Sequence, residues 1–133
     1  MTPHQIEQAL RLRFDNLKST GERFQTRCGD HDLIVVADGD TDRLRIMMPV
    51  AAVDRDDAMT FRRLLEANFS SALDARYAIF HGVLWALYLA PLSSLTTHQV
   101  DCAVTQVIEL ARSTGTCYTA NPALVGSAST QLH

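Results

Sequence analysis

The sequence has no disulfide framework, no glycine-rich loop and no apolar run long enough to cross a bilayer. Its three cysteines, Cys28, Cys102 and Cys117, are an odd number without a CxxC pair. That usage fits a reducing cytoplasm rather than a stapled secreted domain. The six glycines are scattered one per turn, so no stretch of backbone can cradle a phosphate as a P-loop does. The longest apolar run, Val83 to Leu92, reaches about half of the roughly 20 residues a spanning helix requires. Charge of one sign is missing too. Twelve Lys and Arg face fifteen Asp and Glu, a net charge of −3, which gives no general attraction to nucleic acid or anionic membrane. The N-terminus runs straight into an amphipathic, charged helix, as in a chain without a signal peptide. A single cytoplasmic domain is expected, since 133 residues can bury a core without metal or disulfide support.

What is present is an excess of apolar surface on one hairpin. Residues 75–92 read as two strands turning at His81-Gly82. The second strand, Val83 to Ala90, carries Val83, Trp85, Leu87 and Leu89 on one face and Leu84, Ala86, Tyr88 and Ala90 on the other. A strand with one wet face alternates apolar and polar residues; this one does not, so both faces call for a cover. The chain's helices can supply one. The other must come from more of the chain, a second subunit or a partner's segment.

The remaining elements follow from periodicity and caps. Thr2, Pro3 and the spacing of Ile6, Leu10, Phe14 and Leu17 predict a first helix from Pro3 to about Thr20, with Gly21 at its exit. Leu12 falls off that stripe. Phe24 to Cys28, Leu33 to Ala37, and Leu44 to Met48 predict three strands, the last stopped by Pro49. A second helix starts near Asp54–Asp57, with Ala58, Phe61, Leu65, Asn68, Phe69 and Ala72 on its buried side. Thr96 and Gln99 make a capping box for a third helix. Its stripe is Val100, Ala103, Val104, Val107, Ile108 and Ala111, and Gly115 closes it. The expected fold is α+β, an antiparallel sheet of about five strands with three helices in the order α-β-β-β-α-β-β-α. Residues 1–115 form the domain, and 116–133 are expected to be a flexible tail.

Candidate chemistry is sparse. Asp38, Asp40 and Asp42 alternate as in a calcium loop, but Arg43 and Val50 occupy the positions where an EF-hand needs Gly and Glu, so a hairpin turn is the reading. His4, His31, His81, His98 and His133 show no HxH, HxxxH or Cys-His spacing of a zinc site. There is no G-x-S-x-G elbow. Cys28 and Cys102 fall on faces expected to be buried, where cysteine is a small apolar filler. Arg43, Arg45, Arg62 and Arg63 could form a basic patch for an acidic partner; an exposed face balanced by Asp54–Asp57 and Glu66 is the simpler reading. No metal, cofactor or catalytic residue is expected. The competing readings are a ligand-binding domain with a pocket between hairpin and helices, and an enzyme using Cys117 or Asp54–Asp57.

Three features carry a family likeness: Leu64-Leu65-Glu66-Ala67-Asn68-Phe69, the hairpin turning at His81-Gly82, and Ala90-Pro91-Leu92 before the closing helix from Thr96. Together with the element order, they make residues 1–115 resemble the type III secretion chaperones of the Tir-chaperone kind. The related YbjN-like proteins, which share that fold and have no secretion role, are resembled as well. The resemblance implies a non-enzymatic homodimer whose second helix and neighbouring strands contribute to the interface. It also implies that apolar surfaces hold an extended segment of another protein. On this reading Phe61, Leu65, Phe69, Trp85 and Leu87 are dimer or core contacts, and Leu12, Phe14 and Met47 are partner contacts.

Overall fold

The computed structural model describes residues 1–54, 56–70 and 72–119, with side chains described to residue 113. The described residues form α1 (Pro3–Arg13), β1 (Lys18–Thr20), β2 (Arg23–Cys28), β3 (His31–Asp38), β4 (Arg43–Ala52), α2 (Ala58–Ser70), β5 (Arg76–Phe80), β6 (Val83–Pro91) and α3 (Thr97–Thr119). All six strands pair antiparallel in one open sheet of order β1-β2-β3-β4-β6-β5. The fold is α+β with three helices, and the sheet has six strands where about five were expected.

The extra strand comes from the region assigned to the first helix. Thr2 caps α1 in a capping box with Gln5, but the chain leaves the helix at Phe14, whose backbone is extended. Asp15-Asn16, a pair that favours turns, ends the helix early. Leu17 still reaches the core from the turn, which is why it kept helical phase in the sequence. Gly21, with φ +64°, then serves the β1–β2 hairpin rather than a helix exit.

Pro49 does not stop β4 either. Pairing with β3 ends at Ile34–Met47, while pairing with β6 continues to Ala52 through a register shift between Pro49 and Ala51. Pro49 therefore sits where β4 has a neighbour on one side only, a place that needs no second N–H. At the other end of the chain α3 runs through Gly115 to Thr119. A glycine costs a helix about 1 kcal/mol and is not by itself a stop. Residues 120–133, the bulk of the expected tail, lie outside the described residues.

One face of the sheet is the core. Phe24, Val35, Ile46, Leu84 and Ala86 are buried there against Ile6 and Leu10 of α1, Leu64 of α2, and Val100, Val104 and Val107 of α3. Asp57 caps α2, its carboxylate accepting from the Thr60 N–H at 3.0 Å. The buried side of that helix is Thr60 and Leu64, with Ala67 and Asn68 half-buried. This corrects the expected stripe. Leu65 and Phe69 point away from the core, because the helix rests on α3 and β5 along its 60–64–67 line.

Candidate functional site

Residues opposed across antiparallel strands share a face of the sheet, so the ladders map the side away from the helices. One row runs Ile34, Met47, Leu87, Arg76 across β3, β4, β6 and β5; the next runs Arg23, Val36, Arg45, Leu89 across β2, β3, β4 and β6. Trp85 stands opposite both Pro49 and Ala78. No described helix covers this face. Met47, Trp85 and Leu87 are half-buried by one another and their neighbours, and Leu89 is 51% exposed. The Trp85 indole donates to the Phe80 carbonyl at 3.4 Å, which lays the ring along the edge hairpin. The hairpin's two faces are thus resolved. Leu84 and Ala86 are sealed by the chain's own helices, and the Trp85–Leu87–Leu89 face is left uncovered.

A second apolar surface lies on α2. Phe61, Leu65 and Phe69 recur every four residues and line a shallow groove with Ala58, Arg62 and Glu66. Leu65 is 69% and Phe69 92% exposed. Leu73, just beyond the helix, is exposed too, as is Met59 near its start. The sequence hides this because Leu64 and Leu65 are adjacent, and periodicity alone does not decide which of the two faces in.

The residues expected to touch a partner are spread over different surfaces. Met47 shares the outer sheet face with Trp85 and Leu87. Leu12 is 87% exposed and borders the cleft between α1 and α3. Phe14 packs partly on the core, with the Arg13 guanidinium 5.6 Å from its ring centre. Arg13 in turn bridges the two helices through Asp101 at 2.8 Å and the Thr105 hydroxyl at 2.8 Å.

The polar candidates resolve into structure. Asp38 Oδ1 accepts from the Asp40 and Thr41 amides at 3.0 and 3.3 Å, which closes the β3–β4 turn; the Thr41 hydroxyl and these amides hold its carboxyl below the usual range. Asp42 accepts from the Ser93 hydroxyl at 2.7 Å and the Ser93 amide at 2.8 Å, and these bonds lower its pKa. Cys28 is half-buried, and burial pushes its thiol up. Cys102 is exposed rather than buried, with its Sγ 3.5 Å from His98 Nε2. Their i, i+4 spacing on α3 is the signal in the sequence that places them together. Among the described residues no group of three or more His, Cys, Asp or Glu is placed to hold a metal ion, and no helix is long and apolar enough to cross a membrane. The side chain of Cys117 lies outside the described residues.

The basic patch is not one patch. Arg62 pairs with Glu66 at 3.3 Å on α2, on the helical side of the molecule. Arg43 and Arg45 stand on the outer sheet face, where Arg23 joins them.

Searches of protein-family models and of curated proteins give no match. Solved structures do match. A chain of the complex between the Yersinia pestis type III secretion chaperone SycH and a stable fragment of YscM2 superposes with a TM-score of 0.61 at 12% identity, covering 84% of this chain and 98% of that one. A chain of the ExsC–ExsE complex gives 0.61 at 16%, covering 80% and 84%. A chain of the ExoT–SpcS complex from Pseudomonas aeruginosa gives 0.57 at 19%, covering 82% and 90%. The chain has the fold of the type III secretion chaperones.

Proposed function

We propose that this protein is a non-enzymatic chaperone or adaptor that works in the cytoplasm as a homodimer and holds an extended segment of another protein. The observation that carries the reading is the uncovered apolar centre of the sheet, Met47, Trp85, Leu87 and Leu89, in a fold whose solved relatives include a chaperone–effector complex. Small-molecule sites are concave and enclose most of their ligand. This site is an open sheet surface, which suits a polypeptide laid across it. Each large apolar side chain it covers contributes about 1.5–3 kcal/mol, and ordering a flexible segment costs several, so several anchors must act together.

We assign the second subunit to the α2 stripe of Phe61, Leu65 and Phe69, which lies away from the sheet face and leaves that face free. Leu12, beside the α1–α3 cleft, and Phe14 offer further contacts to a long client. Light scattering on the purified protein should give the mass of two chains, falling to one in the double variant Leu65→Arg/Phe69→Arg. An immobilised array of extended peptides should retain the wild type and lose it when Leu87 and Leu89 become Ser. A folded wild type that is monomeric and retained by no peptide overturns the proposal.

A further inference from the structure

We infer that the segment held on the outer sheet face is acidic at one end and apolar at the other, an inference that rests on the polypeptide-holding function proposed above. The face is polarised along its strands. Down the middle of the sheet, Met47, Leu87 and Trp85 stand towards one end and Arg43, Arg45 and, two strands away, Arg23 towards the other, with Leu89 opposite Arg45. Arg76, opposite Leu87 on the edge strand, gives its guanidinium to the Leu73 and Ala75 carbonyls. Arg23, Arg43 and Arg45 are exposed and, among the described residues, pair with no carboxylate. Four other arginines are neutralised, Arg11 by Glu7, Arg13 by Asp101, Arg27 by Asp32 and Arg62 by Glu66. Arg63, Arg76 and Arg112 make no ion pair among the described residues but are not gathered on one face in this way. The adjoining carboxylates are already engaged: Asp38, opposite Arg43 in the ladder, by its own turn amides, Asp42 by Ser93, and Glu22 by the Gly39 amide.

A chain with net charge −3 therefore gathers three unpaired cations beside an uncovered apolar area. Arg43 and Arg45 are two residues apart on β4, about 6.8 Å. That is also the repeat of same-side side chains on an extended client. Two carboxylates at alternate positions, followed by alternate apolar residues, would meet both arginines and then Met47 and Pro49 in register. The planar guanidinium accepts a carboxylate through two parallel hydrogen bonds. Nucleic acid is the weaker occupant, because the cations do not extend into a stripe and most of the face is aliphatic.

The test uses fluorescein-labelled peptides of sequence Glu-Thr-Glu-Thr-Leu-Thr-Leu-Thr-Leu and its reverse, their Gln-for-Glu counterparts, and a fifteen-nucleotide deoxythymidine strand, titrated with the full chain. One Glu peptide should bind about fivefold more tightly than its Gln counterpart at low salt, and the advantage should fade near 0.5 M salt, where the Debye length is about 4 Å. Arg43→Gln/Arg45→Gln, changes at exposed positions, should erase that advantage and leave the Gln peptides unaffected. Equal binding of Glu and Gln peptides overturns the inference while the holding function stands. A preference that survives the double variant overturns it as well, and so does tighter binding of the oligonucleotide. If no peptide binds the folded protein, both this inference and the holding function fail.

Discussion

Asn68 and Tyr77 are joined twice: the Asn68 Oδ1 accepts from the Tyr77 N–H at 2.7 Å, and its Nδ2 donates to the Tyr77 carbonyl at 3.1 Å. A residue in an antiparallel strand presents both backbone groups on the same side. Here that side faces away from β6, because β5 is the last strand of the sheet. A side chain of α2 thus takes the place of a seventh strand and blunts an edge that would otherwise invite pairing with another chain. Asn68→Ala should lower stability by about 1–3 kcal/mol, the cost of two part-buried backbone groups losing their partner, and raise the scattering of concentrated samples. Asn68→Asp keeps the acceptor and loses the donor, so it should fall between. Urea melts and static light scattering check both; an alanine variant as stable and as monodisperse as its parent removes the edge-blunting role.

Leu64 and Leu65 are neighbours with opposite fates, and they separate folding from association. Leu64 is 3% exposed in the core, so Leu64→Ala should cost about 2–5 kcal/mol. Phe69→Ser, at a side chain that touches no core, should change the stability of an isolated subunit by less than about 0.5 kcal/mol. Its effect should appear in mass: sedimentation should show the proposed dimer weakened. Unfolding by Phe69→Ser, or indifference to Leu64→Ala, would contradict the buried side assigned to α2.

Much of this arrangement can be read from the chain. Thr2 caps α1 and the Thr96–Gln99 capping box forms as read, because a cap is a local interaction that needs no tertiary information. The His81-Gly82 turn, with φ of 52° and 72°, is local as well. The uncovered hairpin face was legible because a strand without polar alternation must meet two apolar partners. The α2 orientation was not legible. Thr60 and Asn68, polar by composition, lie on or beside the buried line through bonds to Asp57 and Tyr77, while Leu65 and Phe69 face out. Burial followed hydrogen-bond satisfaction there, and hydrophobicity misassigned the face. The arginine cluster was legible in part: Arg43 and Arg45 alternate in the sequence, while Arg23 joins them only through the β2–β3–β4 register, with Val36 between.

Trp85 is the only tryptophan in the chain and stands half-buried in the middle of the outer face. Its emission therefore reports on that face alone. Covering it with a peptide should shift the maximum to shorter wavelength, as the ring loses water. Leu89→Ser, which removes a side chain already half in solvent, should leave the free spectrum and the melting temperature nearly unchanged. It should weaken peptide affinity about tenfold, the loss of one apolar anchor. Quenching of free and peptide-loaded protein by acrylamide gives a second readout. If a bound peptide leaves Trp85 as accessible as before, the client lies elsewhere.

Asp42 holds the left-handed residue at the start of β4, with φ 55°, and ties it to the loop after β6 through Ser93. The Ser93 hydroxyl and amide favour the charged carboxylate, so the folded-state pKa is depressed below its unfolded value. A depressed carboxyl stabilises the fold above the ordinary carboxylate pKa, about 4, and that contribution disappears as pH falls through the lower folded value. Asn tolerates the same backbone conformation, so Asp42→Asn removes the charge without straining the turn. Thermal melts from pH 7 to pH 2 should show the variant less stable than its parent at neutral pH. The gap should begin to narrow below about pH 5 and close at the acid end. Asp38→Asn should behave alike, because the Thr41 hydroxyl and amide and the Asp40 amide depress Asp38 in the same direction. A gap that stays constant across the whole range would mean that Asp42 acts through its shape rather than its charge, and that Ser93 does not read the carboxylate.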